Sequence, residues 1–149
     1  MERSLVILKP DAVQRGLVGP ILARLEQRGL RFIGLKMMRI DDTLARSHYA
    51  VHAERPFFAG LVAYIASGPV VVIAVSGNNV IESIRAMVGV TNPVKAAPGT
   101  IRGDFALDIG RNLIHASDSP ENGEHEVTIF FQPEELVEMT RSNDAWIYE

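Results

Sequence analysis

Residues 98–118, PGTIRGDFALDIGRNLIHASD, hold two arginines (Arg102 and Arg111), an asparagine (Asn112) and a histidine (His115) among three glycines. An arginine's planar fork suits phosphate and carboxylate recognition. A neutral imidazole titrates near physiological pH and can act there as a base or a nucleophile. The stretch keeps no helical or strand period over most of its length. Yet Ile101, Phe105, Leu107, Ile109, Leu113 and Ile114 give it too much apolar side chain for a disordered linker. It reads as an ordered loop that places polar groups.

Further candidates for a phosphate site lie outside the loop. Lys9 ends the first apolar run, Arg85 stands near the end of an amphipathic stretch, and Thr91 offers a hydroxyl. The common nucleotide machineries are absent: there is no GxxxxGK[ST], no GxGxxG, no kinase HRDxxxxN set, no GxSxG and no EF-hand loop. What remains is a phosphate site built without a glycine-rich cradle. As a nucleophile, His115 needs a partner on its second ring nitrogen. Glu126 is the candidate, and Ser117 and Asp118 add polarity beside it. Pattern alone favours a structural histidine over a nucleophile. His48 and His52 stand at i and i+4, a spacing that can bind zinc, but no HExxH motif or third ligand accompanies them, so surface or core-edge histidines are the favoured reading. Phe57, at a helix start, reads more readily as packed than as a base-stacking face.

Composition excludes several classes. The chain has no cysteine, which removes disulfide, zinc-thiolate and cysteine-nucleophile chemistry. A formal charge of -3 is not the basic balance of a dedicated nucleic-acid binder. The first residues carry no secretory pattern, and the most apolar run, 68–75, is too short to span a bilayer, so an intracellular, cytoplasmic protein is expected. At 149 residues and 47% hydrophobic, the chain fits one domain, 1–149, with a substantial core.

The elements that must carry these residues follow from periodicity. Strands are expected at 4–8, 31–40, 70–75 and 126–131, the last from the alternation of Val127, Ile129 and Phe131. Helices are expected at 16–29, 44–53, 57–67, about 80–88 and 133–141, with a short, weak one after Ser119-Pro120. The irregular region runs from Thr91 to about His115. The order suits an α+β, ferredoxin-like, four-stranded antiparallel sheet with helices packed on it, on one side. The aromatic tail, Trp146-Ile147-Tyr148-Glu149, is expected to pack on the body or on a neighbouring subunit.

The segments LKPDAVQRGLVG, HYAVHAERPFF, TNP, APGTIRGDF, NLIHASDS and WIYE closely resemble nucleoside diphosphate kinase, in register over essentially the whole chain. IRGDF together with GRNxIHxSD is a specific combination. The resemblance implies a ping-pong phosphotransferase, with His115 carrying the γ-phosphoryl group from a nucleoside triphosphate, mainly ATP, to a nucleoside diphosphate. It implies that Lys9 and Asn112 contact ribose and phosphates and that Tyr49 lies near the transferring group. Arg85, Thr91 and Arg102 would hold the phosphate chain. Phe57 would stack on the base beside Leu61 and Ile109, and Glu126 would orient His115 with Ser117 as its neighbour. It further implies Mg2+ carried by the nucleotide rather than by protein ligands, and a homohexamer or homotetramer. Three departures stand out. Ala116 takes a place where the family usually has Gly, which implies strain if that residue needs positive φ. VVVIAVSGNNV lacks the Trp-Glu pair common after this strand, and Asn122-Gly123 replaces better helix formers. A non-catalytic ferredoxin-like module that binds nucleotide or nucleic acid is the alternative class, but such a module has no need of a histidine, a carboxylate and a lysine together.

Overall fold

A computed structural model describes all residues, Met1–Glu149. Strand β1 (Glu2–Leu8) leads through a short helix α1 (Pro10–Gln14) into α2 (Val18–Gln27) and strand β2 (Arg31–Met38). Helices α3 (Asp42–His48) and α4 (Phe58–Ile65) precede strand β3 (Val70–Gly77) and helix α5 (Val80–Val88). Then come α6 (Ile101–Phe105), the three-residue strand β4 (Ile114–Ala116) and α7 (Pro120–Phe130). The sheet order is β2-β3-β1-β4, with every neighbouring pair antiparallel, the ferredoxin-like arrangement.

Helices cover both faces of this sheet, not one. Successive side chains of β1 and β3 point to opposite faces of the sheet, and both faces are buried. Val6, Leu8, Ile73 and Val75 pack with Ile21 and Leu25 of α2 and Ile84 of α5. Leu5, Ile7, Val72 and Ala74 pack on the other side with Val62 and Ile65 of α4 and Val127 of α7. Such two-sided burial explains why β3 is apolar without alternation.

Several expected elements differ. The fourth strand is Ile114–Ala116, inside the stretch read as loop. Glu126–Phe131 is not a strand: those residues belong to α7, which Ser119 caps by accepting the Asn122 N–H, with Pro120 in the first turn. Once that cap starts the helix, Gly123, Val127 and Phe130 fall on one face and are buried. The helix expected at 133–141 reduces to one 3-10 turn, Pro133–Glu135. The 44–53 helix ends at His48 and continues as a separate 3-10 turn, Ala50–His52. The loop also contains α6, capped by the Thr100 hydroxyl, which accepts the Gly103 N–H, and tied to α2 by a 2.6 Å ion pair between Arg24 and Asp104.

The tail meets the body in part. Ile147 lies against Gly29 and the Tyr148 hydroxyl against Gly77, while Trp146 is 91% exposed. No helix is long and apolar enough to cross a membrane.

Candidate active site

Pairing of β1 with β4 sets Ile7 opposite His115, so the imidazole points to the face covered by α3, α4 and α7. His115 Nε2 lies 2.7 Å from Glu126 Oε2 of α7, close but imperfectly aligned for a hydrogen bond. The His115 side chain is 23% exposed and that of Glu126 13%, so the pair sits at the mouth of the core. Burial alone would raise the Glu126 carboxyl, but His115, Ser117 and His48 outweigh it and hold it below the usual range. A carboxylate held ionised against Nε2 favours the tautomer with its proton there. Nδ1 is then left with a free lone pair.

Just before the histidine, the chain is gripped from several sides. Leu113 has φ 73°, a left-handed conformation rare for a branched residue. Its carbonyl accepts the Lys9 N–H at 2.8 Å, and its own N–H donates to Asp11 Oδ2 at 3.1 Å. Asp11 Oδ1 also receives the Tyr64 hydroxyl. The Arg111 guanidinium lies 4.4 Å over the Tyr64 ring. On the far side of His115, Ser117 extends the ladder: its N–H donates to the Leu5 carbonyl, and its hydroxyl accepts the Leu5 N–H at 2.9 Å.

The cationic part is preorganised. Lys9 Nζ donates to Asn112 Oδ1 at 2.8 Å, and Asn112 Nδ2 donates to the Thr91 carbonyl at 3.0 Å. Lys9 is 9% exposed. Burial, with Arg102 adding to it, lowers its pKa to about 8 despite Asp11. Arg102 is buried and donates to the carbonyls of Asn112 (3.1 Å), Gly89 (3.1 Å) and Ile114 (2.5 Å). Burial and the nearby Arg85 lower its pKa to about 10. Arg85 Nη1 reaches the Ala116 carbonyl at 3.4 Å, while Thr91 is exposed. Positive charge that burial has stripped of water is a ready partner for polyphosphate.

The apolar candidates lie on or near α4 and on the loop before β4. Phe57 is 52% exposed, with its ring centroid 5.5 Å from that of His52, and Ile109 is 57% exposed. Leu61 is half-buried on α4. Tyr49 is buried with no partner for its hydroxyl, and burial with the Glu126 charge pushes its pKa up to about 12.

The structure thus brings His115, Glu126, Ser117, Lys9, Asn112 and Arg102 into one connected cluster, with Arg85 and Thr91 at its edge. The strain expected at Ala116 is absent. Positive φ among non-glycine residues occurs only at Leu113 and Asn79, so the Ala116 methyl sits on ordinary extended backbone. Sequence reading gave no role to Asp11 or Tyr64, whose only signal was an acid in the first turn after Lys9. It set His48 aside as half of a helical pair with His52. His48 instead packs edge-on to His115, ring centroids 4.6 Å apart, with Nδ1 3.5 Å from Glu126 Oε2.

The family model described as nucleoside diphosphate kinase matches residues 2–136. A nucleoside diphosphate kinase of Roseiflexus sp. (strain RS-1) is 74% identical over 149 residues, all of both chains. One from Archaeoglobus fulgidus is 54% identical over all of this chain and 99% of its own. Among solved structures, a halophilic nucleoside diphosphate kinase from Halobacterium salinarum in complex with CDP superposes with TM-score 0.96 at 49% identity, covering 99% of each chain.

Proposed function

This chain belongs to the nucleoside diphosphate kinase family and is a nucleotide-binding phosphotransferase, and on that premise we propose a ping-pong relay through His115. In the first half-reaction the Nδ1 lone pair attacks the γ-phosphorus of a nucleoside triphosphate, mainly ATP. The N–P bond forms, the bond to the β-γ bridging oxygen breaks, and the diphosphate leaves. The ring now carries phosphorus on Nδ1 and its proton on Nε2, so it is cationic, and Glu126 stabilises that charge. A second nucleoside diphosphate reverses the sequence, taking the phosphoryl group and returning His115 to the neutral form.

The observation that carries this reading is the 2.7 Å approach of Nε2 to Glu126, which leaves Nδ1 free for attack. Phosphoryl transfer asks a protein mainly for positioning and charge stabilisation. Lys9, Arg85, Arg102, Thr91 and Asn112 supply these for the phosphates and ribose, and Tyr49 borders the transferring group. Phe57, Leu61 and Ile109 offer an apolar slot for the base. Stacking discriminates poorly among bases, which suits an enzyme that equilibrates many nucleotides.

The donor set around the phosphate site is cationic and amide in character. Its carboxylates are already committed, Glu126 to His115 and Asp11 to Leu113 and Tyr64. A hard cation takes oxygen ligands and commonly arrives with substrate phosphates. Mg2+ therefore enters with the nucleotide, where it neutralises phosphate charge. We further take residues 1–149 as one kinase unit, assembled as a homohexamer or homotetramer in the cytoplasm, with nucleic acid not a main partner.

The deciding experiment incubates the chain with γ-labelled ATP and asks for acid-labile, base-stable label. Label on the wild type and none on His115→Ala is the expected result. Label that survives His115→Ala, or no label at all, overturns the reading. Light scattering reads the subunit number.

A further inference from the structure

We propose that His48, His115 and Glu126 form an inhibitory binding site for a borderline-soft divalent cation such as Zn2+. As an account of inhibition, the proposal rests on His115 being the nucleophile; as a binding site, it does not. One atom from each residue, a ring nitrogen or a carboxylate oxygen, lies within 4.8 Å of the others. Glu126 Oε2 stands 2.7 Å from His115 Nε2 and 3.5 Å from His48 Nδ1. The ligand-ligand edge of a zinc tetrahedron is ~3.3 Å, from metal-ligand bonds near 2.0–2.1 Å. The 3.5 Å separation of His48 Nδ1 and Glu126 Oε2 is near that edge already, and a bound ion would have to part His115 Nε2 from Glu126 Oε2 by rotation of the side chains.

An independent observation points the same way. The His48 side chain is 2% exposed and neither of its ring nitrogens has a hydrogen-bond partner. A buried, unpartnered imidazole is costly, and one aimed at a carboxylate and a second imidazole is already desolvated for a metal. The open side of the cluster lies at His115, 23% exposed, which gives an ion its entry. Two histidines and one glutamate are a known zinc donor set that keeps a fourth position free. Two nitrogens among three donors disfavour magnesium, which demands oxygen. The cluster therefore discriminates against the cation that travels with the nucleotide.

Inhibition follows from the tautomer. A cation takes the Nε2 lone pair of His115, and the proton displaced from Nε2 is taken up at Nδ1 through water. The ring stays neutral, but Nδ1 no longer has a lone pair to attack phosphorus. Glu126 turns from Nε2 to the metal at the same time.

Calorimetric titration of the nucleotide-free wild-type chain with Zn2+ should show one ion per chain at micromolar affinity, unchanged by millimolar Mg2+. Nitrogen NMR of the wild type should place the largest shifts on the His48 and His115 rings. His48→Asn and Glu126→Gln should each weaken binding at least tenfold, with circular dichroism checking the fold. Phosphohistidine formation should fall with zinc occupancy and return on chelation. No binding, or ring shifts confined to His52 and His125, overturns the site whatever the variants do. Zinc bound at the cluster in a chain that never forms phosphohistidine would uphold the site and sink the proposed relay. Phosphohistidine that forms normally in a fully zinc-loaded chain overturns the inhibitory role.

Discussion

The carboxylate of Asp11 holds the backbone of Leu113 in place. Its Oδ2 accepts the Leu113 N–H at 3.1 Å, and Leu113 is the left-handed residue two positions before His115. A left-handed non-glycine residue costs roughly 1–3 kcal/mol and persists only when its surroundings over-determine it. Asp11 is one determinant, and Tyr64 fixes Asp11 through the other oxygen.

Asp11→Ala should therefore lower stability by about 1.5–3 kcal/mol, the range for a hydrogen bond to a charged group. It should also slow phosphohistidine formation more than it weakens nucleotide binding. Asp11→Asn, which keeps an acceptor for Leu113, should recover most of both. Melting temperature and single-turnover labelling are the measurements. An Asp11→Ala chain that melts and labels like the wild type would remove Asp11 from this role.

Lys9 predicts a pH dependence. Its folded-state pKa, about 8, lies below the ordinary 10.5. The folded chain thus binds this proton less tightly than the unfolded chain does. The associated stability is fully present above 10.5 and is lost as pH falls through about 8. The stability of the wild type relative to Lys9→Met should rise across that window by up to about 3 kcal/mol. Polyphosphate beside Nζ restores the charged form, so nucleotide binding near pH 8 should take up protons. Titration calorimetry in buffers of different ionisation heat reads this, and binding heats independent of buffer would count against it.

Arg102 carries structure as well as charge. Arg102→Ala removes the guanidinium donor from the carbonyls of Gly89, Asn112 and Ile114, of which Asn112 keeps the Ile114 N–H. It should cost about 3 kcal/mol or more in stability and weaken nucleotide affinity together with it. Denaturant unfolding alongside nucleotide titration tests both. A fully stable Arg102→Ala chain would contradict the buried network.

Gly123 sets the approach of α7 to β1. A Cβ there would meet the Arg3 carbonyl oxygen at 2.0 Å, whereas one at Gly110 would meet only Asp108 Oδ1 at 3.3 Å. Gly123→Ala must push the start of α7 outward and carry Glu126 away from His115. A loss of about 1–3 kcal/mol is expected from such overpacking, with a slower phosphorylation step. Gly110→Ala should be near neutral. Equal behaviour of the two variants would refute the packing argument.

Phe57, half exposed, contributes little to the core. Phe57→Ala should shift stability by less than about 0.5 kcal/mol. It should raise KM for purine and pyrimidine nucleotides alike, by roughly 5- to 150-fold if a base stack worth about 1–3 kcal/mol is lost. A strong preference for one base in the variant would contradict stacking as the mode of base contact.

By itself, the sequence determined the elements that burial marks plainly, the apolar runs of β1 and β3, the strand β2 and the helical stripes of α2 and α5, and with them the antiparallel α+β class. It also showed that IRGDF and GRNLIHASD gather arginine, asparagine and histidine in a short span, although pattern alone favours a structural His115 and only the family resemblance gives it a role. Tertiary structure alone decided the rest. β4 has three residues, too few for any period, and exists because β1 offers it an edge. The alternation of Val127, Ile129 and Phe131 mimics a strand, but the Ser119 cap and the fit of Gly123 against β1 make that segment a helix. Glu126 consequently reaches His115 from a helix packed on the Leu5 and Ile7 face of the sheet. The left-handed turn at Leu113 and the placing of His48 beside His115 depend on contacts between residues far apart in the chain, which no local pattern encodes.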